Sequence, residues 1–214
     1  MLRILFGAVA FALFATGAFA CNGQAGKVIF EDKFTDDSGG WSFSEGILVL
    51  KAPGATVTVN ASEQGIGRDI LNQTFTATQG DFCVEMSFPP DAAQLDVAIG
   101  VLFLAANDDK YWLAQATSSG VVRLDKLADN KYSKVWQTEA NTSLVKTGPT
   151  DVNSVRAVVK NGTITVIVNG QTVKSVRALI PSDDLKFGFY AQHTKPSATP
   201  ILFTVRSYKV TTGE

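Results

Sequence analysis

Histidine occurs once in this chain of 214 residues, and its scarcity removes several chemistries at the outset. His193 alone builds no Ser-His-Asp triad and, beside only two cysteines, no zinc ligand set. No acidic or basic block stands out. With Arg3 set aside, 18 basic residues face 20 acidic ones, which argues against a nucleic-acid polyanion or an anionic membrane surface as partner. Beyond residue 20 there is no long apolar run and no amphipathic helical pattern, so a membrane-spanning helix there is excluded. Also missing is the local carboxylate spacing of a retaining glycosidase. Asp81 and Glu85 share one face of a strand, but four residues of strand hold them roughly 13 Å apart.

The apolar residues that do cluster lie at the N-terminus. Arg3 precedes the run Ile4 to Phe14, and Ala18-Phe19-Ala20 has the small-x-small form of a leader-peptidase site. Residues 1–20 are read as a signal peptide for a secreted or periplasmic protein, with residues 21–214 as one domain. A single N-terminal membrane anchor is the alternative. Cleavage after Ala20 makes Cys21 the first mature residue. In an oxidising compartment Cys21 and Cys83 pair. A lipidated Cys21 is the competing reading, for which Ala18 and Phe19 make a poor preceding box.

The rest of the chain alternates short β-rich runs with turn residues: 27–31, 47–51, 55–59, 69–75, 81–88, 97–105, 110–116, 120–127, 132–138, 152–160, 163–169, 171–177, 185–192 and 201–211. So many strands exceed an immunoglobulin sandwich and fit an all-β, two-sheet antiparallel jelly roll. Asn161-Gly162 and Asn169-Gly170 mark two-residue hairpins, because both residue types tolerate positive φ. A second meander runs from Ala98 to Gln137.

Several motifs resemble a known superfamily. Phe30-Glu31-Asp32-Lys33-Phe34 followed by Trp41 looks like the opening of secreted concanavalin A-like domains. Gly100 to Phe103, Asp109 to Leu113 and Gly120 to Leu124 resemble central strands of laminin-G-like and 3-keto-disaccharide-hydrolase-type domains. Asn153 to Gly170, Phe187 to Tyr190 and Phe203 to Val205 resemble their later strands. The resemblance implies a concanavalin A-type jelly roll and a function on glycans. Where the hydrolases carry an asparagine-serine-glycine strand, this chain reads Ala98-Ile99-Gly100-Val101, so that activity is not implied.

Alternation then nominates a site. Tyr111 and Gln115, Arg123, and Tyr190 and Gln192 fall on one side of three strands, with Glu85 added as a neighbour. Aromatic faces and planar polar groups suit sugar rings. The expected function is a non-catalytic glycan- or polysaccharide-binding module. A glycoside hydrolase and an envelope interaction domain are the alternatives. With these residues read as outward-facing, Tyr111→Ala and Arg123→Ala are expected to spare stability. Asp36-Asp37 and Asn107-Asp108-Asp109 offer oxygen ligands in the loops of a superfamily where calcium is common, but they read as solvated turns, and no metal or other cofactor is assigned. His193 reads as an exposed loop residue, or else as a ligand contact at a sheet edge.

Overall fold

The computed structural model describes residues 20–41, 47–107, 109–141, 143–148, 150–181 and 185–213. The leader segment before Ala20 and Asp108 of the loop cluster lie outside them. Among the described residues no helix is long and apolar enough to cross a membrane.

Among the described residues fourteen strands form two antiparallel sheets. In chain order they are β1 (Val28–Asp32), β2 (Leu48–Leu50), β3 (Ala55–Val59), β4 (Ile66–Leu71), β5 (Gly80–Ser87), β6 (Val97–Asn107) and β7 (Lys110–Thr117). They continue with β8 (Val122–Ala128), β9 (Lys131–Gln137), β10 (Asn153–Lys160), β11 (Thr163–Val168), β12 (Gln171–Arg177), β13 (Lys186–His193) and β14 (Ile201–Thr211). One sheet has the order β12-β11-β10-β5-β14-β3-β2, with β1 also paired to β14. The other runs β4-β13-β6-β7-β8-β9. This is the expected jelly roll. Its core lies between the sheets, where Phe82, Val84 and Met86 of β5 and Ile99, Val101 and Phe103 of β6 are buried. Each set alternates along its strand, and the sandwich hides both apolar faces at once.

The local turn chemistry behaves as the residue types demand. Asn161 and Gly162, and Asn169 and Gly170, all have positive φ, as do Asp129 and Asn130 between β8 and β9. Two successive positive-φ residues give the turn whose twist matches a hairpin.

The Phe-Glu-Asp-Lys-Phe…Trp opening has a structural role. Asp32 accepts the Phe34 backbone N–H at 2.6 Å and the Trp41 indole N–H at 2.7 Å. Phe34 is thereby held at a positive φ of 54°, and its ring stacks on Trp41 within the aromatic core.

One strand is displaced from its expected place. The apolar run suggested 69–75, yet β4 ends at Leu71. The cause is Asn72, fully buried, whose side-chain oxygen accepts the N–H groups of Thr74 and Phe75, both at 2.9 Å. Its amide donates to the Gly39 carbonyl at 2.7 Å. A side chain that caps its own backbone two and three residues on competes with the ladder and ends the strand. Asn72→Ala is expected to destabilise the fold by about 1–3 kcal/mol, because the buried Gly39 carbonyl and two part-buried N–H groups lose their partner. Urea unfolding measures this, and a change under about 0.5 kcal/mol would discount the cap.

Candidate functional site

The outer face of the six-stranded sheet carries five of the nominated residues. Cross-strand register sets Tyr190 opposite Gly100 and Asp69, Gly100 opposite Gln115, and Gln115 opposite Arg123. Gln192 lies two residues beyond Tyr190 on the same face. Glu85 does not belong there: β5 lies in the other sheet, and Glu85 points to that sheet's outer side, where it meets Cys21 and Ser207. Sequence separation hid this, because which sheet a strand joins is not a local property.

The face is strongly curved. β4 and β9 are the two edges of the sheet, and five strand spacings would separate them by about 24 Å if it were flat. Yet the Tyr111 hydroxyl on β7 donates to Asp69 of β4 at 2.8 Å and lies 2.5 Å from the Tyr132 hydroxyl of β9. The two walls of a trough therefore meet above the middle of the sheet. Glycines permit the approach: a Cβ on Gly67 would lie 2.2 Å from the Tyr190 hydroxyl, and one on Gly188 2.0 Å from the Ile70 carbonyl. Bulges between β6 and β7 and between β8 and β9 add local bend.

Hydroxyl chemistry orders the cluster. Tyr111 has one proton, and it goes to the Asp69 carboxylate. Tyr132 therefore donates to Tyr111. Two phenols thus form a chain ending on Asp69, each bond polarising the next, with the Tyr190 ring buried beside them. Beneath it Leu71, Leu102, Leu113 and Leu127 are buried. Tyr111 is only 1% exposed and Tyr190 4%, so the expectation that both face solvent is corrected: they fill the trough. Tyr132 differs. Its hydroxyl is tied inward while the residue remains 54% exposed.

Beside this chain, Asp125 is buried and accepts Nε and Nη2 of Arg123 at 3.1 and 2.8 Å and Nε2 of Gln115 at 2.5 Å. Gln115 is buried with its carboxamide oxygen unpaired. The Arg123 side chain is 33% exposed, so it stays within reach of solvent while Asp125 holds it. Gln137 stands opposite it on β9, exposed.

All four tyrosines have phenols pushed above their ordinary range. For Tyr111 burial is the main cause, followed by the Asp69 charge; for Tyr190 burial comes first and then Tyr132; for Tyr132 and the fully buried Tyr208 burial leads as well. The fold favours the neutral phenol, so its contribution to stability is complete below the unfolded value of about 10 and is lost as pH rises past it. Near-ultraviolet titration should show no tyrosinate from Tyr111, Tyr190 or Tyr208 in the native protein until alkaline unfolding, when they appear together. Native-state titration of more than one phenol would contradict their burial.

His193 is not a loop residue. It is fully buried at the end of β13, with Nδ1 2.7 Å from the Lys195 carbonyl and Nε2 3.0 Å from that of Asn60. Both ring nitrogens lie against backbone carbonyls, so the fold holds the ring inside the structure and it presents no edge to a ligand. Asp36 accepts Ser38, and Asn107 accepts the Asp109 N–H, so both acidic clusters form Asx turns. Among the described residues no group of three or more His, Cys, Asp or Glu is placed to hold a metal ion. Cys21 and Cys83 form a disulfide.

Tyr132 and Asp69 were not nominated from sequence. The first was within reach: the Asp129-Asn130 turn pairs Leu127 with Tyr132, and Leu127 has the same parity as Arg123. The second was not, since β4 joins β13 across more than a hundred residues.

A cavity of about 840 Å³ lies on the opposite sheet, away from this face, lined among others by Cys21, Phe34, Leu50, Glu85, Arg206 and Lys209.

No protein-family model matches the chain, and no curated protein matches it in sequence. Solved structures do match in shape. The carbohydrate-binding module CBM66 from Bacillus subtilis is 12% identical, with 78% of this chain and 94% of that one covered and a TM-score of 0.56. The Bacillus licheniformis beta-glucanase is 10% identical over 88% and 99%, at 0.63. The catalytic domain of an endo-1,3-beta-glucanase (laminarinase) from Thermotoga petrophila is 9% identical over 87% and 98%, at 0.64. With its two antiparallel sheets and curved six-stranded face, the chain has the concanavalin A-type jelly-roll fold that these binding and glucanase domains share.

Proposed function

We propose that the chain is an exported, non-catalytic glycan-binding module whose ligand lies along the rim of the trough. Tyr132, Arg123, Gln137 and Gln192 form the contact surface, and Tyr111, Gln115 and Tyr190 position it from below. The observation that carries this reading is Tyr132, a large aromatic ring exposed on an edge strand with its hydroxyl anchored in a buried relay. Such a ring is already ordered, so stacking a sugar on it costs little further entropy. Arg123, held by Asp125, is partly exposed on the same face. The shared fold with a carbohydrate-binding module and with glucanases supports the ligand class.

Binding is favoured over hydrolysis because the carboxylates on this face are engaged. Asp125 is buried under Arg123 and Gln115, and Asp69 receives Tyr111. A glycosidase needs one carboxyl free to protonate the leaving oxygen and a second free for the nucleophile or water. The disulfide supports an oxidising compartment.

The test is a glycan panel followed by calorimetry. A dissociation constant of about micromolar to millimolar is expected for an exposed polar surface, with Tyr132→Ala and Arg123→Ala each weakening it about tenfold or more. An empty panel, or unchanged binding by both variants, would remove the proposal in favour of protein docking. Release of reducing sugar that vanishes in Asp69→Asn or Asp125→Asn would make the protein a hydrolase.

A further inference from the structure

We propose that Glu85 is the seat of the mature N-terminus: cleavage of the Ala20–Cys21 bond frees an α-ammonium that folding delivers to this carboxylate. Glu85 lies in the middle of β5, on the outer side of the larger sheet, and is 2% exposed. It accepts the Cys21 backbone nitrogen at 3.2 Å and the Ser207 hydroxyl at 2.8 Å. Both donors are neutral in the uncut chain. A carboxylate buried among neutral groups is costly, and a cation beside it offsets that cost.

No lysine or arginine side chain supplies that cation among the described residues. Arg156, from β10, is bound through Nε and Nη2 to Asp81. Lys33 lies 3.7 Å from Glu31. Lys33, Lys51, Arg206 and Lys209 line the same cavity as Glu85, and none of them forms an ion pair with it. The nitrogen already beside Glu85 is the one that cleavage would charge.

The covalent geometry agrees. Cys83 and Glu85 are two residues apart on the same face of β5, so the disulfide to Cys83 and the contact to Glu85 clamp Cys21 at two points. In the hydrolysis, the hydroxyl of water goes to the Ala20 carbonyl carbon and a proton to the Cys21 nitrogen. The new carboxylic acid then ionises and the amine takes up a proton. Cys21 is buried and cross-linked in the folded chain, so the cut precedes folding. The cavity beside Cys21 leaves room for water on the remaining ammonium protons. With Sγ committed to the disulfide, a thioether-linked lipid on Cys21 is incompatible with this state.

Three measurements test the proposal. The intact mass and N-terminal sequence of the exported native protein should begin at an unmodified Cys21, and an earlier start or an acylated amine would overturn it. A glycine inserted before Cys21 should lower the melting midpoint by several degrees in the Glu85 protein and have little effect in Glu85→Gln. Equal losses in both backgrounds, or none in either, would show that charge is not involved. If Glu85→Gln does not fold, amine acylation of the native protein decides: the Cys21 amine should react about tenfold or more slowly than in the unfolded chain, as expected of a buried group that reacts through opening. Equal rates would overturn the seat.

Discussion

Tyr111→Ala is expected to lower the free energy of unfolding by about 3–5 kcal/mol, the cost of emptying an aromatic site that cannot collapse. Tyr111 is buried on the outer face of its sheet, and its ring covers Leu113 and Leu127 while its hydroxyl joins the two edges of the trough. Alanine removes the ring and leaves Asp69 and Tyr132 each short of a hydrogen bond. Tyr111→Phe keeps the ring and should cost about 1–3 kcal/mol, the share of the lost polar contacts. Urea unfolding with an unchanged slope is the measurement. If Tyr111→Ala costs less than about 1 kcal/mol, the trough floor is open to solvent and the relay does not hold its walls together. The expectation from alternation alone was the opposite, that alanine here would spare stability.

Removing the Cys21–Cys83 bond should have an effect of similar size. The two residues are 62 apart in sequence, and closing a loop of that length removes about 4 kcal/mol of unfolded-state entropy in the chain-entropy account. Cys21→Ser and Cys83→Ser should each lower stability by about that amount, with reduction of the native protein giving the same midpoint as Cys21→Ser. Cys83 is fully buried between Arg156 and Lys209 in register, so Cys83→Ser adds a polar group to that site and should be the worse of the two. A loss below about 1 kcal/mol on reduction would show that the N-terminal segment is held by other contacts.

The site illustrates where alternation stops being informative. Period-two alternation correctly set Tyr111, Gln115, Arg123, Tyr190 and Gln192 on one side of their strands, because side-chain parity along a strand is a local property. It gave no measure of exposure. Tyr190 is buried and Gln192 half-buried two residues apart on the same face, a difference created by how sharply the sheet curls. Glu85 failed for another reason: its parity was readable, but its sheet was not. The Gln73 to Phe75 run failed because the buried Asn72 side chain competed with the ladder for backbone N–H groups.

Most strand positions, with 69–75 the exception, and the hairpins at Asn161-Gly162 and Asn169-Gly170 were legible in the sequence alone, since alternation and turn chemistry depend on residues within a few positions of one another, and the number of such strands pointed to two layers. Tertiary structure decided what meets across distance. It brought Asp69 of β4 to Tyr111 of β7, closed the trough over its own tyrosines, and set Glu85 beneath Cys21. These contacts join segments 42 and 64 residues apart. The strand order and sheet curvature that create them follow from packing the whole core, and no local pattern encodes them.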